Sequence, residues 1–123
     1  MPDLTKLTRS KIRLRLKLGI GDDSIGPGKA ELLSKVDAHG SISAAARDMG
    51  INYRRAWFLL ETINSALGQP VVSTSKGGKD GGGAKLTDAG KAILTAYDAI
   101  TQEAHQQTHD HLDVLYKSLM QNK

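Results

Sequence analysis

The feature that most constrains the fold is a short alanine-rich segment that meets a longer amphipathic segment at a glycine. Three alanines at 44–46 precede Gly50, and apolar residues then recur at helical spacing over residues 53–67. Small side chains let two helices cross closely, glycine tolerates the tight turn between them, and Ile51 fills the angle. The pattern therefore predicts a helix-turn-helix over residues 43–67, whose second helix is the recognition helix.

The rest of the chain supplies the elements around this unit. Residues 11–18 alternate charged and apolar side chains, which predicts a strand with one exposed face. Helical spacing predicts a helix over residues 28–39, and two short apolar runs around a glycine-rich loop predict a hairpin, or wing, over residues 71–86. A last apolar repeat predicts a helix over residues 88–120, and the polar residues 106–110 leave its continuity open.

Together these elements predict a mainly α (α+β) fold: a winged helix-turn-helix with an N-terminal strand and a long C-terminal dimerisation helix. At 123 residues, 39% of them hydrophobic, the chain suits a single domain over residues 1–123. No apolar stretch approaches the roughly 20 residues of a membrane span. The N-terminus shows no apolar signal segment, and the chain has no cysteine. We therefore expect a cytoplasmic protein without a membrane partner.

The positive charge is unevenly distributed. The net charge is +4, but residues 1–20 alone carry six basic side chains and one acidic one. Residues 47–85 carry six basic side chains against three acidic ones. Such patches favour a polyanionic partner. The basic face of the predicted strand has two interpretations, protection of a sheet edge or direct contact with phosphates.

The side chains best suited to DNA lie around the predicted recognition helix and in the hairpin. Asparagine pairs with adenine, arginine forks onto guanine, and tyrosine and lysine contact phosphates. The predicted DNA-binding residues are Ser43, Asn52, Tyr53, Arg54, Arg55, Lys76, Lys79 and Lys85. A solvated helix face is the alternative for the two arginines. The chain shows no nucleophile with a paired base and no phosphate-loop pattern, so we expect neither an enzyme nor a bound cofactor.

Two other function classes stay open. An architectural DNA-binding protein would use the same basic patches with little preference between sequences. A metal sensor would use the histidines of the last helix, where an i, i+4 pair of imidazoles can share a divalent ion. The candidate metal ligands are His105, His109 and His111, which can equally be solvated surface.

Two motifs resemble one known family. Residues 40–57, from Gly40 through Ser41, Asn52 and Arg55 to Trp57, resemble the helix-turn-helix of ModE-type molybdate-responsive transcriptional regulators. Residues 74–90 are similar to that family's glycine-rich wing and the start of its linker helix, and LysR-type regulators share the plan without this wing.

The resemblance implies a sequence-specific transcriptional regulator. In such a protein Asn52 to Arg55 would enter the major groove, and Lys76 to Lys85 would form the wing. The first strand and the long last helix would build a symmetric homodimer on a palindromic operator.

One departure from the family concerns the effector. Full-length members carry molybdate-binding modules after the linker helix, whereas this sequence ends at Lys123. The family's oxyanion-binding residues have no counterpart here. We therefore expect a regulator that lacks these modules, with a separate effector-sensing protein as a candidate partner. The operator, the effector and the direction of regulation are not predicted.

Overall fold

The computed structural model describes residues 6–75 and 83–121, and within them the chain forms four helices and two small sheets. The elements in order are a 3₁₀ helix (Arg9–Lys11), β1 (Leu18–Ile20), β2 (Asp23–Ile25), α1 (Pro27–His39), α2 (Ile42–Met49), α3 (Tyr53–Leu67), β3 (Val72–Ser75), β4 (Gly83–Leu86) and α4 (Asp88–Gln121). β1 pairs with β2 and β3 with β4, each antiparallel. The predicted mainly helical α+β fold of the winged-helix type is confirmed.

The turn between α2 and α3 is fixed by local hydrogen bonds. Ser41 caps α2 by accepting a bond from the Ala44 N–H at 3.1 Å. Asn52 caps α3 in the same way. Gly50 ends α2 with φ of 70°, a left-handed conformation that favours glycine. These caps set where each helix begins and ends.

The core lies where α1, α2 and α3 meet. Leu32, Leu33 and Val36 of α1 are completely buried and belong to one cluster with Leu60 and Ile63 of α3. Burying each of these side chains contributes about 1.5–3 kcal/mol. The helix-turn-helix also buries small residues, at Ala45, Ala46 and Ala56. Two of the three alanines that predicted this unit therefore lie in the core.

The hairpin is attached to the helices on both sides. The Ala84 N–H of β4 donates to the Gly40 carbonyl at 2.9 Å, which ties the hairpin to the turn between α1 and α2. Thr87 donates from its backbone N–H to the Val71 carbonyl at 3.0 Å. A Cβ placed on Gly90 would lie 2.1 Å from that same Val71 oxygen, so only glycine allows α4 to start this close to the hairpin.

The strand predicted over residues 11–18 is not formed over that range. β1 covers Leu18–Ile20 and pairs with β2 at Asp23–Ile25, a strand that the sequence analysis did not predict. Residues 12–17 keep the predicted alternation, with apolar side chains half-buried and basic ones exposed, but they belong to neither sheet. The pattern predicted the alternating burial correctly and the strand wrongly.

Side chains of α4 replace a partner strand for this N-terminal segment. The Tyr97 hydroxyl donates to the Leu16 carbonyl at 2.8 Å, and His105 Nε2 lies 3.1 Å from the Leu14 carbonyl. Farther along α4, the Arg9 guanidinium hydrogen-bonds Asp113. This bond holds the pKa of Asp113 below its usual range. The segment thus runs antiparallel along the helix.

The last helix is continuous. α4 contains 34 residues and passes through residues 106–110 without a break, so its length is about 51 Å. Several large apolar side chains along it are exposed: Ile100, Val114, Leu115 and Leu119. No helix in the described part of the chain combines the length and hydropathy that crossing a membrane requires.

Candidate nucleic-acid interface

The first half of α3 carries a buried face and an opposite exposed face. Ala56, Leu60 and Ile63 are buried in the core. The exposed side chains on the far side of the helix are Arg54, Phe58, Glu61 and Ser65. Residues three and four positions apart share a helix face, so these four form one continuous outward stripe. This stripe presents the side chains that any partner of α3 would meet.

Asn52 serves as the N-cap of α3. Its Oδ1 accepts a hydrogen bond from the Arg55 N–H at 2.7 Å. The side chain is exposed, and its position at the helix start is fixed by this bond. The predicted adenine contact would use the same oxygen as an acceptor, so capping and base reading share one atom.

Tyr53 and Trp57 form an aromatic pair at the side of α3. Their ring centroids are 6.2 Å apart with an interplanar angle of 76°, an edge-to-face arrangement. Tyr53 is 51% exposed, while Trp57 is half-buried against the core. The tyrosine side chain is therefore accessible to solvent or a partner. The indole packs between the core and the tyrosine ring.

Arg55 stacks on Phe58. The guanidinium carbon lies 5.3 Å from the ring centroid, within the range of a cation–π interaction. In the described part of the chain, neither Arg54 nor Arg55 forms an ion pair with a carboxylate. Both positive charges thus remain uncompensated at the start of the helix.

A cleft joins the helix-turn-helix to the hairpin. It has a volume of about 220 Å³, and Ser43 and Tyr53 line it from one side while Thr74 and Gly83 line it from the other. Lys85 of β4 is exposed. The structure therefore brings Ser43, Tyr53 and the hairpin strands around one concave surface. Lys76 and Lys79 lie outside the described residues.

The turn preceding α2 is braced by a small charge cluster. Asp48 Oδ2 lies 2.8 Å from His39 Nε2 and 3.0 Å from Lys35 Nζ. Hydrogen bonds from His39 and then Lys35 hold the pKa of Asp48 below its ordinary value. The same contact raises the pKa of Lys35. The cluster links α1 to α2, because the Asp48 carboxylate at the end of α2 is paired with two basic side chains of α1.

The histidines of α4 do not converge as a group. His105 contacts the Leu14 carbonyl, and His109 lies near Asp110 and Asp113. Within residues 6–75 and 83–121, the only set of side chains close enough to share a metal ion is His109, Asp110 and Asp113, whose ligand atoms lie within 4.8 Å of one another. His111 is outside this set, and Arg9 already neutralises Asp113.

Phe58 is the residue of this surface that the sequence analysis did not single out. The position of Phe58 in the sequence could have identified it. The residue falls outside the apolar stripe at residues 56, 59, 60, 63 and 67, yet it has a large apolar side chain. An apolar residue off the core-facing stripe of a helix is expected to be exposed. The structure shows Phe58 to be exposed.

Comparison with known proteins identifies relatives for this arrangement. The molybdenum-pterin-binding protein MopB of Rhodobacter capsulatus is 46% identical over 76 residues, which are 62% of this chain and 28% of MopB. The molybdenum transport protein ModE of Azotobacter vinelandii is 33% identical over 105 residues, 85% of this chain and 38% of that protein. The DNA-binding transcriptional dual regulator ModE of Escherichia coli (strain K12) is 38% identical over 76 residues, 62% of this chain and 29% of that regulator.

The match covers only part of each relative. The chain spans less than two fifths of the length of each of these three proteins. Their names describe regulators, a transport protein and a binding protein, not enzymes. No protein-family model matches the chain. The resemblance carried by the helix-turn-helix and the glycine-rich hairpin is confirmed, and the chain is a homologue of the ModE-type regulators and of MopB over their N-terminal ModE-like domain.

Proposed function

We propose that the chain is a sequence-specific DNA-binding transcriptional regulator that acts as a homodimer. The observation that carries the proposal is the start of α3, where Arg54 and Arg55 are exposed and form no ion pair with an acid among the described residues. Cationic side chains at the start of a recognition helix reach base edges, while a neighbouring hairpin contacts the backbone. The name of the Escherichia coli relative, a DNA-binding transcriptional dual regulator, supports the same conclusion.

The roles of the predicted DNA-binding residues divide by position. Arg54 lies on the outward stripe of α3 and is assigned to base reading, as is Arg55 beside it. Tyr53 and Ser43, which line the cleft, are assigned to the phosphate backbone, and Asn52 holds the helix start. Lys85, and in the sequence Lys76 and Lys79, would neutralise phosphates along the hairpin.

The proposed dimer rests on the distal half of α4. The two buried residues of α4, Gly90 and Tyr97, lie in its first third, whereas Leu115 and Leu119 farther along are exposed. Beside it, the N-terminal segment, α1 and α4 enclose a cleft of about 650 Å³ with a largely apolar lining. A second copy of the chain would cover both surfaces, because a two-fold dimer presents the same apolar patch twice.

The deciding experiment is selection of bound duplexes from a random pool at physiological salt, with and without molybdate. A palindromic consensus supports the dimeric regulator, with half-sites one helical turn or a multiple apart. Recovery of duplexes without a consensus would instead indicate an architectural DNA-binding protein. Molybdate is the second arm because MopA and MopB are named as molybdenum-pterin-binding proteins. A consensus that does not depend on molybdate would favour a separate effector-sensing partner.

A matched pair of variants tests the assignment to α3. Arg54→Ala is expected to weaken binding to the selected duplex by about 1–3 kcal/mol, and to relax the consensus at one position. Lys117→Ala removes the same charge from the distal end of α4, so it is expected to leave the consensus unchanged. Equal losses for the two variants would show that α3 contributes only charge. Binding is measured by fluorescence anisotropy at fixed salt.

A further inference from the structure

Aromatic side chains are concentrated at the start of α3. The chain has five aromatic residues, and three of them, Tyr53, Trp57 and Phe58, fall within six positions of this helix. Trp57 is half-buried, which accounts for it as packing. Phe58 is the chain's only phenylalanine and is 56% exposed. It lies on the side of the helix away from the core, so the stability of this fold gives no reason for a ring there.

The surroundings of Phe58 restrict what it can contact. Arg54 lies one turn before it on the same outward stripe, and the Arg55 guanidinium stacks against its ring. Two cations beside an apolar ring disfavour a wholly apolar partner, because docking would desolvate both charges. They favour a polyanion that offers an apolar group of its own.

Duplex DNA offers such a group in the major groove. The 5-methyl of thymine is the one apolar group on the base edges there, and phenylalanine is among the side chains that contact it. Arg54 and Phe58 are four residues apart, or about 6 Å along the helix axis. That distance is close to two base-pair steps of about 3.4 Å. A helix that places Arg54 on a base edge therefore places Phe58 over a base nearby.

We propose that Phe58 is a specificity-determining residue that recognises thymine through its 5-methyl group. The inference rests on the proposed DNA-binding function and adds a residue and a base to it. The cation–π contact with Arg55 restricts the ring before DNA binds, so less conformational freedom is lost on docking. The contact is apolar, and it selects thymine over cytosine or uracil at one position of each half-site because only thymine carries the methyl group.

Replacing thymine by uracil tests the contact directly, because only the methyl group is removed. The probe is the duplex recovered by selection, with each thymine of one half-site replaced by uracil in turn. For the unaltered chain, one replacement is expected to weaken binding about fourfold, the loss expected for one buried methyl group. For Phe58→Ala, the thymine and uracil duplexes are expected to bind equally.

Several outcomes would overturn the inference. It is wrong if no uracil replacement weakens binding of the unaltered chain, or if Phe58→Ala retains the full uracil penalty. Ile100→Ala, which shortens an exposed apolar side chain in the first half of α4, outside the proposed dimer surface, is the matched control and is expected to keep the penalty. Thermal unfolding of both variants confirms that they fold. If the unaltered chain selects no sequence at all, the proposed function fails first and the inference falls with it.

Discussion

The helical core and the distal half of α4 differ in how completely the chain satisfies its own apolar surface. In the core, Leu33 and Val36 are completely buried, and α2 and α3 start at side-chain caps. Along the distal part of α4, Val114 is 62% and Leu115 46% exposed. The first region is stable through contacts within one chain. The second region carries large apolar side chains that are exposed to solvent in the single chain. This exposure is why we propose that a second copy of the chain covers them.

The largest expected difference between the two regions is in the cost of truncating an apolar side chain. Leu33→Ala is expected to lower the free energy of unfolding by about 2–5 kcal/mol, because it leaves a cavity in the core. At concentrations where the chain is monomeric, Val114→Ala removes exposed methyl groups and is expected to change that free energy by less than about 0.5 kcal/mol. Urea unfolding followed by circular dichroism measures both. Comparable losses would show that the distal helix is packed in the isolated chain.

A second prediction concerns the junction where the two regions begin to separate. Gly90→Ala is expected to cost about 1–3 kcal/mol, because the new methyl group would overlap the Val71 carbonyl oxygen and push α4 away from the hairpin. Gly28→Ala, in the first turn of α1, meets no atom within 4 Å of its new Cβ. It is expected to be neutral or stabilising by up to about 1 kcal/mol. The same urea experiment compares them, and a neutral Gly90→Ala would mean that α4 can shift freely.

The third prediction sharpens the role of the distal half. Leu115→Glu places a charge on the exposed apolar patch and is expected to weaken self-association at least about tenfold, or about 1.4 kcal/mol. Sedimentation equilibrium across a range of concentrations measures the change. Ser118→Glu adds the same charge at an exposed polar position of α4 and serves as the control. Unchanged association in Leu115→Glu would remove this patch from the interface.

The smallest expected effects come from the exposed charge contacts in each region. The pKa of Asp48 is lowered in the folded chain, so its contacts contribute stability above the ordinary carboxyl pKa, near pH 4. That contribution is lost as the pH falls through the folded pKa. The pKa of Lys35 is raised, so its contribution is present below its ordinary value of 10.5 and is lost as the pH rises through the folded pKa.

Two variants separate these contacts by region. Asp48→Asn is expected to flatten the acid dependence of unfolding of the core. Asp113→Asn removes the charged partner of Arg9 and is expected to speed tryptic cleavage after the exposed Arg13 and Arg15 without changing the core. Unfolding between pH 3 and 8 and limited trypsin digestion at pH 7 measure the two effects. If Asp113→Asn lowered the core's stability as much as Asp48→Asn, the two regions would not be separable.

The same contrast explains what the sequence could and could not predict. Apolar periodicity predicted α1 to α3 because their partners are neighbouring helices of the same chain. Alternation predicted which side chains of residues 12–17 are half-buried and which are exposed, but a period of two carries no information about the partner. The partner proved to be the side chains of Tyr97 and His105 rather than a strand. β2 was missed because Asp22, Asp23 and Ser24 are also typical of a turn.

At the candidate interface, residue types were predictable and their geometry was not. Arg54, Arg55 and Lys85 follow from charge and position, and the structure places all three on the surface. The bond that makes Asn52 a cap is local and could have been expected from its position before a helix. The stacking of Arg55 on Phe58 depends on rotamers, which no spacing rule specifies.

Because α4 is continuous, its length sets the distance between its two ends. Nothing between Asp88 and Gln121 interrupts its hydrogen bonds, so any change in its length is transmitted undiminished from one end to the other. Seven added residues would move the far end by about 10.5 Å and rotate it by about 20°, keeping its apolar side in nearly the same direction. Three or four added residues would shift it by about half as much. Relatives with helices of different length would thus set different separations without redesigning either end.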